Sequence, residues 1–296
     1  MGEPGGHVSV LYDEVLAWLR PHSGGWYVDA TLGGAGHAKG ILIASHPDGR
    51  LVGLDADPGA LSFASKVLES FGDRVLLRSA NFRQLGEVVL ALGIKEVDGI
   101  LMDLGLSSRQ LDDAERGFSF SQDGPLDMRM DRDRGQSAAD LVNHLSEADL
   151  ANLLWRYGEE RKSRRIARAI TAARPLATTG QLADLVARTV GRREKIHPAT
   201  RTFQALRMAV NDELAALGEA LEAAYSHLRL GGRMVIITFH SLEDRVVKRS
   251  FKRWSQIGEG QHKLRIITRK PVLPSAEEIE FNPRSRSAKM RVAVKV

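Results

Sequence analysis

The stretch Trp26–Leu42 (WYVDATLGGAGHAKGIL) constrains the fold more than any other. Its apolar run Trp26-Tyr27-Val28 ends at Asp29, a glycine-rich turn follows at Gly33-Gly34-Ala35-Gly36, and a helical pattern opens at His37. A strand that passes through glycines into a helix is the unit from which α/β domains build nucleotide sites. The glycines let the backbone approach a ligand, and unpaired N–H groups at the helix start favour polar or anionic groups. The dinucleotide fingerprint G-x-G-x-x-G is incomplete here, because Lys39 stands where the last glycine after Gly34 and Gly36 belongs. A P-loop is excluded, since no Gly-Lys-Ser/Thr closes the turn. Glycine-rich turns also arise for steric reasons alone, so the turn needs support from elsewhere in the chain.

The second apolar run gives that support. Arg50–Asp55 (RLVGLD) ends in a carboxylate about 20 residues past the glycines, where a ribose hydroxyl pair is usually held. Asp55 also suits a helix N-cap, and the two roles are compatible. NAD and S-adenosylmethionine both present a ribose. A turn lacking its third glycine favours the latter, which has no pyrophosphate to cradle. A third strand, Arg74–Arg78, leads to Asn81 and Phe82, which a doubly wound sheet puts beside the ligand's base. Phe82 is as readily a core residue under a loop. A fourth strand, Val97–Asp103, ends in another acid. Three strands ending in Asp29, Asp55 and Asp103 aim three carboxylates at one sheet edge, and a site explains that better than three caps.

The rest of the chain sets the organisation. Helices are expected over Val8–Leu19, Gly59–Ser70 and Phe82–Leu92. After Ser108 the strand–helix alternation stops. Residues 109–136 are rich in Asp, Gly and Arg, a functional loop whose Phe118, Phe120, Met128 and Met130 predict that it packs down as a lid. Ser137–Val210 reads as helical throughout, with Ser146 capping a helix that stops at Gly158. Arg161, Arg164, Arg165 and Arg168 recur at i, i+3, i+4, i+7 on one helix face, opposite Ile166, Ala169, Ile170 and Ala173. A solvated charged face is the plain reading. Four arginines with hardly a carboxylate among them suit a phosphate backbone. Gly191–Lys195 adds a second basic cluster. The α/β pattern returns with helix Asp212–His227 and strand Arg233–Phe239. His240 follows as a candidate site residue, with Ser241 and Asp244 spaced as a capping box. Strands Lys263–Thr268 and Lys289–Val296 finish the sheet, around a basic loop, Asn282–Ser287, of flexible type carrying Arg284 and Arg286. The chain therefore divides into 1–108 with 212–296, a cofactor-binding α/β domain, and 109–211, an inserted loop and helical substrate-recognition domain.

Composition narrows the function. A chain of 296 residues that is 43% hydrophobic has room for one full domain and a smaller one. No apolar run reaches membrane-span length, and the N-terminal MGEPGGHVSV lacks the character of a secretory leader. A cytoplasmic location without membrane partners is expected. The absence of cysteine removes disulfides, thiolate metal sites and a cysteine nucleophile, and no metal is expected. A net charge of +5 makes a polyanionic partner plausible. Two functions fit: a cofactor-dependent enzyme whose insertion positions a large anionic substrate, or a nucleotide-sensing or nucleic-acid-binding module without chemistry. The three strand-end acids and the missing phosphate-loop lysine favour a methyl-transfer enzyme.

Longer motifs carry a family resemblance. Gly33-Gly34-Ala35-Gly36-His37, Asp103–Asp112 (DLGLSSRQLD), Glu115–Phe120 (ERGFSF) and Asp123–Met130 (DGPLDMRM) closely resemble the RsmH (MraW) family of bacterial 16S ribosomal RNA cytosine-N4 methyltransferases. His197–Arg207 (HPATRTFQALR), Phe239–Asp244 (FHSLED) and Asn282–Lys289 (NPRSRSAK) match it too, so the resemblance covers nearly the whole chain. It implies a class I S-adenosylmethionine-dependent methyltransferase sheet, Rossmann-like and doubly wound, with an inserted helical domain. It also implies S-adenosylmethionine as donor, held by the turn at Gly34, Ala35, Gly36 and His37, and by Asp55, Phe82, Asp103 and Gln110. The implied partner is 16S rRNA within the small ribosomal subunit, and the target is the decoding-region cytidine conventionally numbered 1402. Ala35 departs from the family's glycine, so this backbone accepts a Cβ. Oligomeric state stays open.

The missing cysteine bears on the chemistry as well. Methylation at cytosine C5 usually needs a thiolate that adds to the ring, so transfer here is expected to go directly to a nucleophile on the substrate. An exocyclic amine needs a hydrogen-bond acceptor beside the cofactor, and Asp103 stands there. His240 is a second, weaker candidate for the proton. An Asp/Asn-Pro-Pro-aromatic motif often serves this chemistry, and Asp103-Leu104-Gly105-Leu106 replaces it.

Overall fold

The computed structural model describes residues 9–133, 135–191, 196–257 and 262–296. It contains two compact units: residues up to Gly105 with Leu214–Val296, and Leu106–Glu213. Arg192–Lys195 of the expected basic cluster lie outside the described residues.

In chain order the first unit opens with α1 (Tyr12–Leu19), β1 (Trp26–Asp29), α2 (Gly36–Ala44) and β2 (Arg50–Asp55). It continues with α3 (Pro58–Val67), β3 (Val75–Ser79), α4 (Leu85–Ala91) and β4 (Val97–Asp103). The second unit holds α5 (Ser108–Asp112), α6 (Ala138–His144), α7 (Glu147–Gly158), α8 (Ser163–Ala173), α9 (Thr179–Val190) and α10 (Thr200–Val210). The chain then returns through α11 (Glu213–His227), β5 (Leu228–Thr238), α12 (Ser241–Ser255), β6 (Leu264–Ile266), α13 (Ala276–Phe281) and β7 (Lys289–Lys295).

The sheet order is β3-β2-β1-β4-β5-β7-β6. Strands β1 to β5 pair in parallel, and β7 runs antiparallel to β5 and β6. A doubly wound sheet with a reversed β7 is the class I methyltransferase fold. Period-two alternation explains why both sheet faces are covered. Val28, Val52, Ile100, Met102 and Ile236 point to the side packed by Val89 of α4, Leu221 of α11 and Phe251 of α12. Their neighbours Tyr27, Leu51, Leu101, Val235 and Ile237 meet Val15 of α1, Ile41 of α2 and Ala64 of α3 on the other side.

Several local expectations shift. The helix expected over Gly59–Ser70 starts at Pro58 because Asp57 caps it, accepting from the Gly59 N–H at 2.8 Å, and it gives way to a 3₁₀ stretch, Glu69–Arg74. The helix expected over Val8–Leu19 begins only at Tyr12, after a left-handed Leu11. The helix expected over Phe82–Leu92 splits into a 3₁₀ turn, Phe82–Gln84, and α4. The segment 282–287 is a 3₁₀ turn, Pro283–Ser287, rather than a flexible loop. Pro283 opens that turn, and the buried Ser285 hydroxyl donates to the Asn282 carbonyl at 2.8 Å.

In the second unit, residues 113–131 fold down onto the unit's own helices. Phe118, Leu126 and Met128 are buried with Leu150, Ile166, Leu182 and Leu206 in a separate core. Helix α7 ends in a left-handed Glu159 rather than at a glycine cap. Gly158 serves packing instead, since a Cβ there would sit 2.6 Å from the Arg201 carbonyl oxygen of α10. Arg161 lies in the turn before α8, while Arg164, Arg165 and Arg168 are exposed on the helix. Its buried side is Ile166, Ala167 and Ile170, with Ala173 exposed.

Candidate functional site

The strand order reverses between β1 and β4, so the crevice beyond their carboxyl ends is the topological switch point where such folds bind ligands. Register places the three acids. Asp29 lies opposite Gly53 of β2 and Leu101 of β4, two residues short of Asp55 and Asp103. A two-residue step keeps all three on one face and seats Asp29 one pleat deeper. Asp29 is accordingly 1% exposed, while Asp55 and Asp103 are half-buried. Burial pushes the Asp29 carboxyl up to about 7, helped by repulsion from Asp103 and Asp55 and opposed by His37 and the Thr31 N–H.

The turn after β1 ties these strand ends together. The Ala30 N–H donates to the Leu101 carbonyl, and the Leu32 N–H to that of Leu54, each at 2.9 Å. The Thr31 hydroxyl accepts from the Asp103 N–H at 2.6 Å. Asp55 accepts from the Gly33 N–H at 2.9 Å and the Asp57 N–H at 2.8 Å, one on each oxygen. It therefore fixes the glycine turn while keeping lone pairs for another donor. Burial raises the Asp55 pKa, against those two hydrogen bonds. Gly53 makes room for the turn, because a Cβ there would sit 2.9 Å from Leu32 Cδ1. Ala35 takes the left-handed conformation (φ 59°) at the N-cap of α2, fully buried and with no side-chain cap. An L-residue there costs about 1–2 kcal/mol, and the first N–H groups of α2 have no side-chain cap among the described residues.

His37, in the first turn of α2, is 5% exposed. Its ring stacks on Tyr12 with centroids 6.1 Å apart, and its Nε2 stands 3.6 Å from Asp103 Oδ2. Both His37 ring nitrogens and Asp103 Oδ1 are buried without a hydrogen-bond partner among the described residues. Buried polar atoms are nearly always satisfied, so three orphans at a switch point mark a place where a polar ligand completes the structure. Phe82 is half-buried against the core cluster that also holds Val28, Val52 and Ile100.

Other predicted residues have different placements. The box that starts α12 pairs His240 with Glu243, not Ser241 with Asp244, because the helix begins at Ser241 and its third residue is Glu243. His240 Nδ1 accepts the Glu243 N–H at 3.3 Å, and Glu243 accepts the Phe239 N–H at 2.9 Å. His240 Nε2 is 3.1 Å from Glu243 Oε1 but misaligned, so it makes no hydrogen bond there. Asp244 instead pairs with Arg291 of β7 through two bonds of 2.6 and 3.0 Å. Gln110 belongs to the second unit, where its side chain closes a capping box with Ser107 at the start of α5. Arg284 and Arg286 are exposed on the Pro283–Ser287 turn.

Sequence reasoning missed Thr31, Tyr12 and Glu278. Glu278 accepts the Leu11 N–H at 2.8 Å, fixing the left-handed residue that starts α1 and so the Tyr12 ring over His37. Burial raises its pKa, and Asp103 acts in the same direction. A hydrogen bond that spans 267 residues leaves no local signal.

The sequence matches the MraW methylase family over residues 5–296. It is 51% identical over 307 aligned residues to ribosomal RNA small subunit methyltransferase H of Geotalea uraniireducens, covering 98% of both chains. The protein of the same name from Geobacter sulfurreducens is also 51% identical, with 98% of this chain and 99% of that one covered. The one from Heliobacterium mobile is 50% identical over the same shares. With the fold and switch-point site already in place, this near full-length match means that the chain belongs to the MraW methylase family.

Proposed function

We propose that this chain methylates 16S rRNA with S-adenosylmethionine as donor, at the exocyclic N4 amine of a cytidine in the decoding region. The chain is a methyltransferase by family, and its relatives at half identity are small-subunit rRNA methyltransferases. The observation that carries the site is the group of orphaned buried atoms on His37 and Asp103 beside the glycine turn. Residues present there fit the donor: the Gly36 and His37 N–H groups at the start of α2, which have no partner among the described residues, acceptor capacity on Asp55, and the half-buried ring of Phe82 for an adenine.

S-adenosylmethionine supplies an electrophilic methyl group on its sulfonium. Asp55 would take the ribose hydroxyls and the turn from Gly34 to His37 would hold the rest; Gln110 is a further cofactor contact only as the family resemblance implies. Asp103 accepts an N–H of the target amine, which localises the nitrogen lone pair for in-line attack and gives its proton a destination. His240 is the lesser candidate for relaying that proton, because its Nδ1 is already committed to the α12 cap. RNA is held by Arg161, Arg164, Arg165 and Arg168 of the helical unit and by Arg284 and Arg286.

The test is incubation with methyl-labelled S-adenosylmethionine and either 16S RNA or assembled small subunits, followed by digestion and mass spectrometry. Label on cytidine N4 is expected. Label on C5 or a ribose hydroxyl would refute the mechanism, and no label on either RNA substrate would refute the function.

A further inference from the structure

A second concave site lies wholly within the helical unit, lined by Glu160, Lys162, Val190, Ile196, His197 and Arg201. It is built around His197, which opens the HPATRTFQALR motif and has no part in the methyl-transfer site. The ring packs on Phe120 with centroids 4.5 Å apart, and Phe120 is itself braced edge-on by Phe203 at 4.8 Å. His197 is nonetheless exposed. Its Nδ1 accepts the Ala199 N–H at 3.2 Å, so in the neutral ring Nε2 carries the proton and remains a donor.

The wall is polar in a particular way. Glu160 is 8% exposed, and its Oε1 accepts the Lys162 N–H at 2.8 Å. A carboxylate has further acceptor positions. Lys162 Nζ donates to the Val190 carbonyl at 3.0 Å and has two more donors. Arg201 adds a second cation, while Val190 and Ile196 give an apolar side. Arg161, Arg164 and Arg165 are exposed in sequence on either side of Lys162. A flat ring ledge, one buried acceptor, one donor and two cations match a nucleobase with its phosphate. An inorganic anion would leave the ledge and the carboxylate unused.

We propose that this pocket takes a nucleotide of the substrate RNA other than the methylated one, its base stacked on His197 and its phosphate on Lys162 and Arg201. The inference rests on RNA being the substrate. Base stacking on an aromatic ledge recognises splayed single-stranded bases with little sequence demand.

The experiment measures steady-state methylation of a decoding-region RNA by the full chain and by His197→Ala, His197→Phe and Lys162→Gln, with S-adenosylmethionine affinity read by calorimetry. His197→Ala and Lys162→Gln should raise the RNA KM about tenfold and leave donor affinity unchanged. His197→Phe, which keeps the ledge, should recover most of that effect. An unchanged RNA KM in both His197→Ala and Lys162→Gln would overturn the pocket while sparing the function, whereas wild-type protein that methylates no RNA would overturn the function itself. Should His197→Ala fail to fold, crosslinking of wild-type protein to 4-thiouridine-substituted RNA decides. Crosslinks within 196–201 support the site, and a map without them sinks it.

Discussion

Asp29 is a buried acid whose ionisation the fold resists, so replacing it with asparagine should change how stability depends on pH. Its carboxyl is displaced from an ordinary 3.8 to about 7, chiefly by burial. Below about pH 4 both folded and unfolded chains hold the proton, and the site costs nothing. Between there and about pH 7 the unfolded chain ionises while the folded one stays neutral. The unfolded state then binds fewer protons, and unfolding free energy falls by about 1.4 kcal/mol per pH unit. Above pH 7 the loss is complete, at about 4 kcal/mol. Asparagine mimics the protonated acid and keeps an oxygen for the Thr31 N–H, now 3.2 Å from Oδ1. Urea titrations of both proteins from pH 4 to pH 8 should show Asp29→Asn gaining about 4 kcal/mol on wild type across that range. A difference between the two that stays within about 1 kcal/mol throughout would refute the reasoning. Asp103 and Asp55 contribute to the displacement, so a cationic ligand lodged among the three acids relieves it.

Three further outcomes are expected. Asp55→Ala should weaken S-adenosylmethionine binding at least tenfold in calorimetry, since charge-assisted hydrogen bonds to the ribose are worth about 1.5–3 kcal/mol each; NAD should not bind to wild type. Asp103→Ala should lower turnover about a hundredfold at saturating S-adenosylmethionine, and a smaller effect than tenfold removes it as the proton acceptor. Replacing Arg161, Arg164, Arg165 and Arg168 by glutamine should flatten the salt dependence of RNA binding, by a log–log slope of about 0.7 for each phosphate no longer neutralised. Arg168 matters least to that change, as it already faces Glu147 at 3.6 Å, and an unmoved slope would leave these arginines as a solvated face.

The parts of this protein that were legible in the sequence are those set by near neighbours. Continuous apolar runs fixed which segments become strands, because a parallel sheet is covered on both faces. Glycines between Asp29 and His37 announced the turn, and the switch from strand to helix period announced the insertion after β4. Resemblance in the longer motifs supplied the family. Local cues failed where two residues compete for one job: His240 and Ser241 both suit a cap, and only the phase of α12 decides that His240 takes it. The same holds for Asp244, whose partner Arg291 lies on the strand that pairs with β5.

Tertiary structure alone decided the order of the strands and the depth of each acid. Sequence made Asp29, Asp55 and Asp103 look equivalent, each the last residue of a strand. Parallel register sets Asp29 two residues deeper, removes it from water and raises its pKa, while the other two stay half-buried. Stacking of His37 on Tyr12, and the hold of Glu278 on Leu11, likewise depend on segments from opposite ends of the chain meeting at one sheet edge. Periodicity and capping are properties of a few consecutive residues. Burial and its electrostatic consequences belong to the whole packed sheet, and no window of sequence contains them.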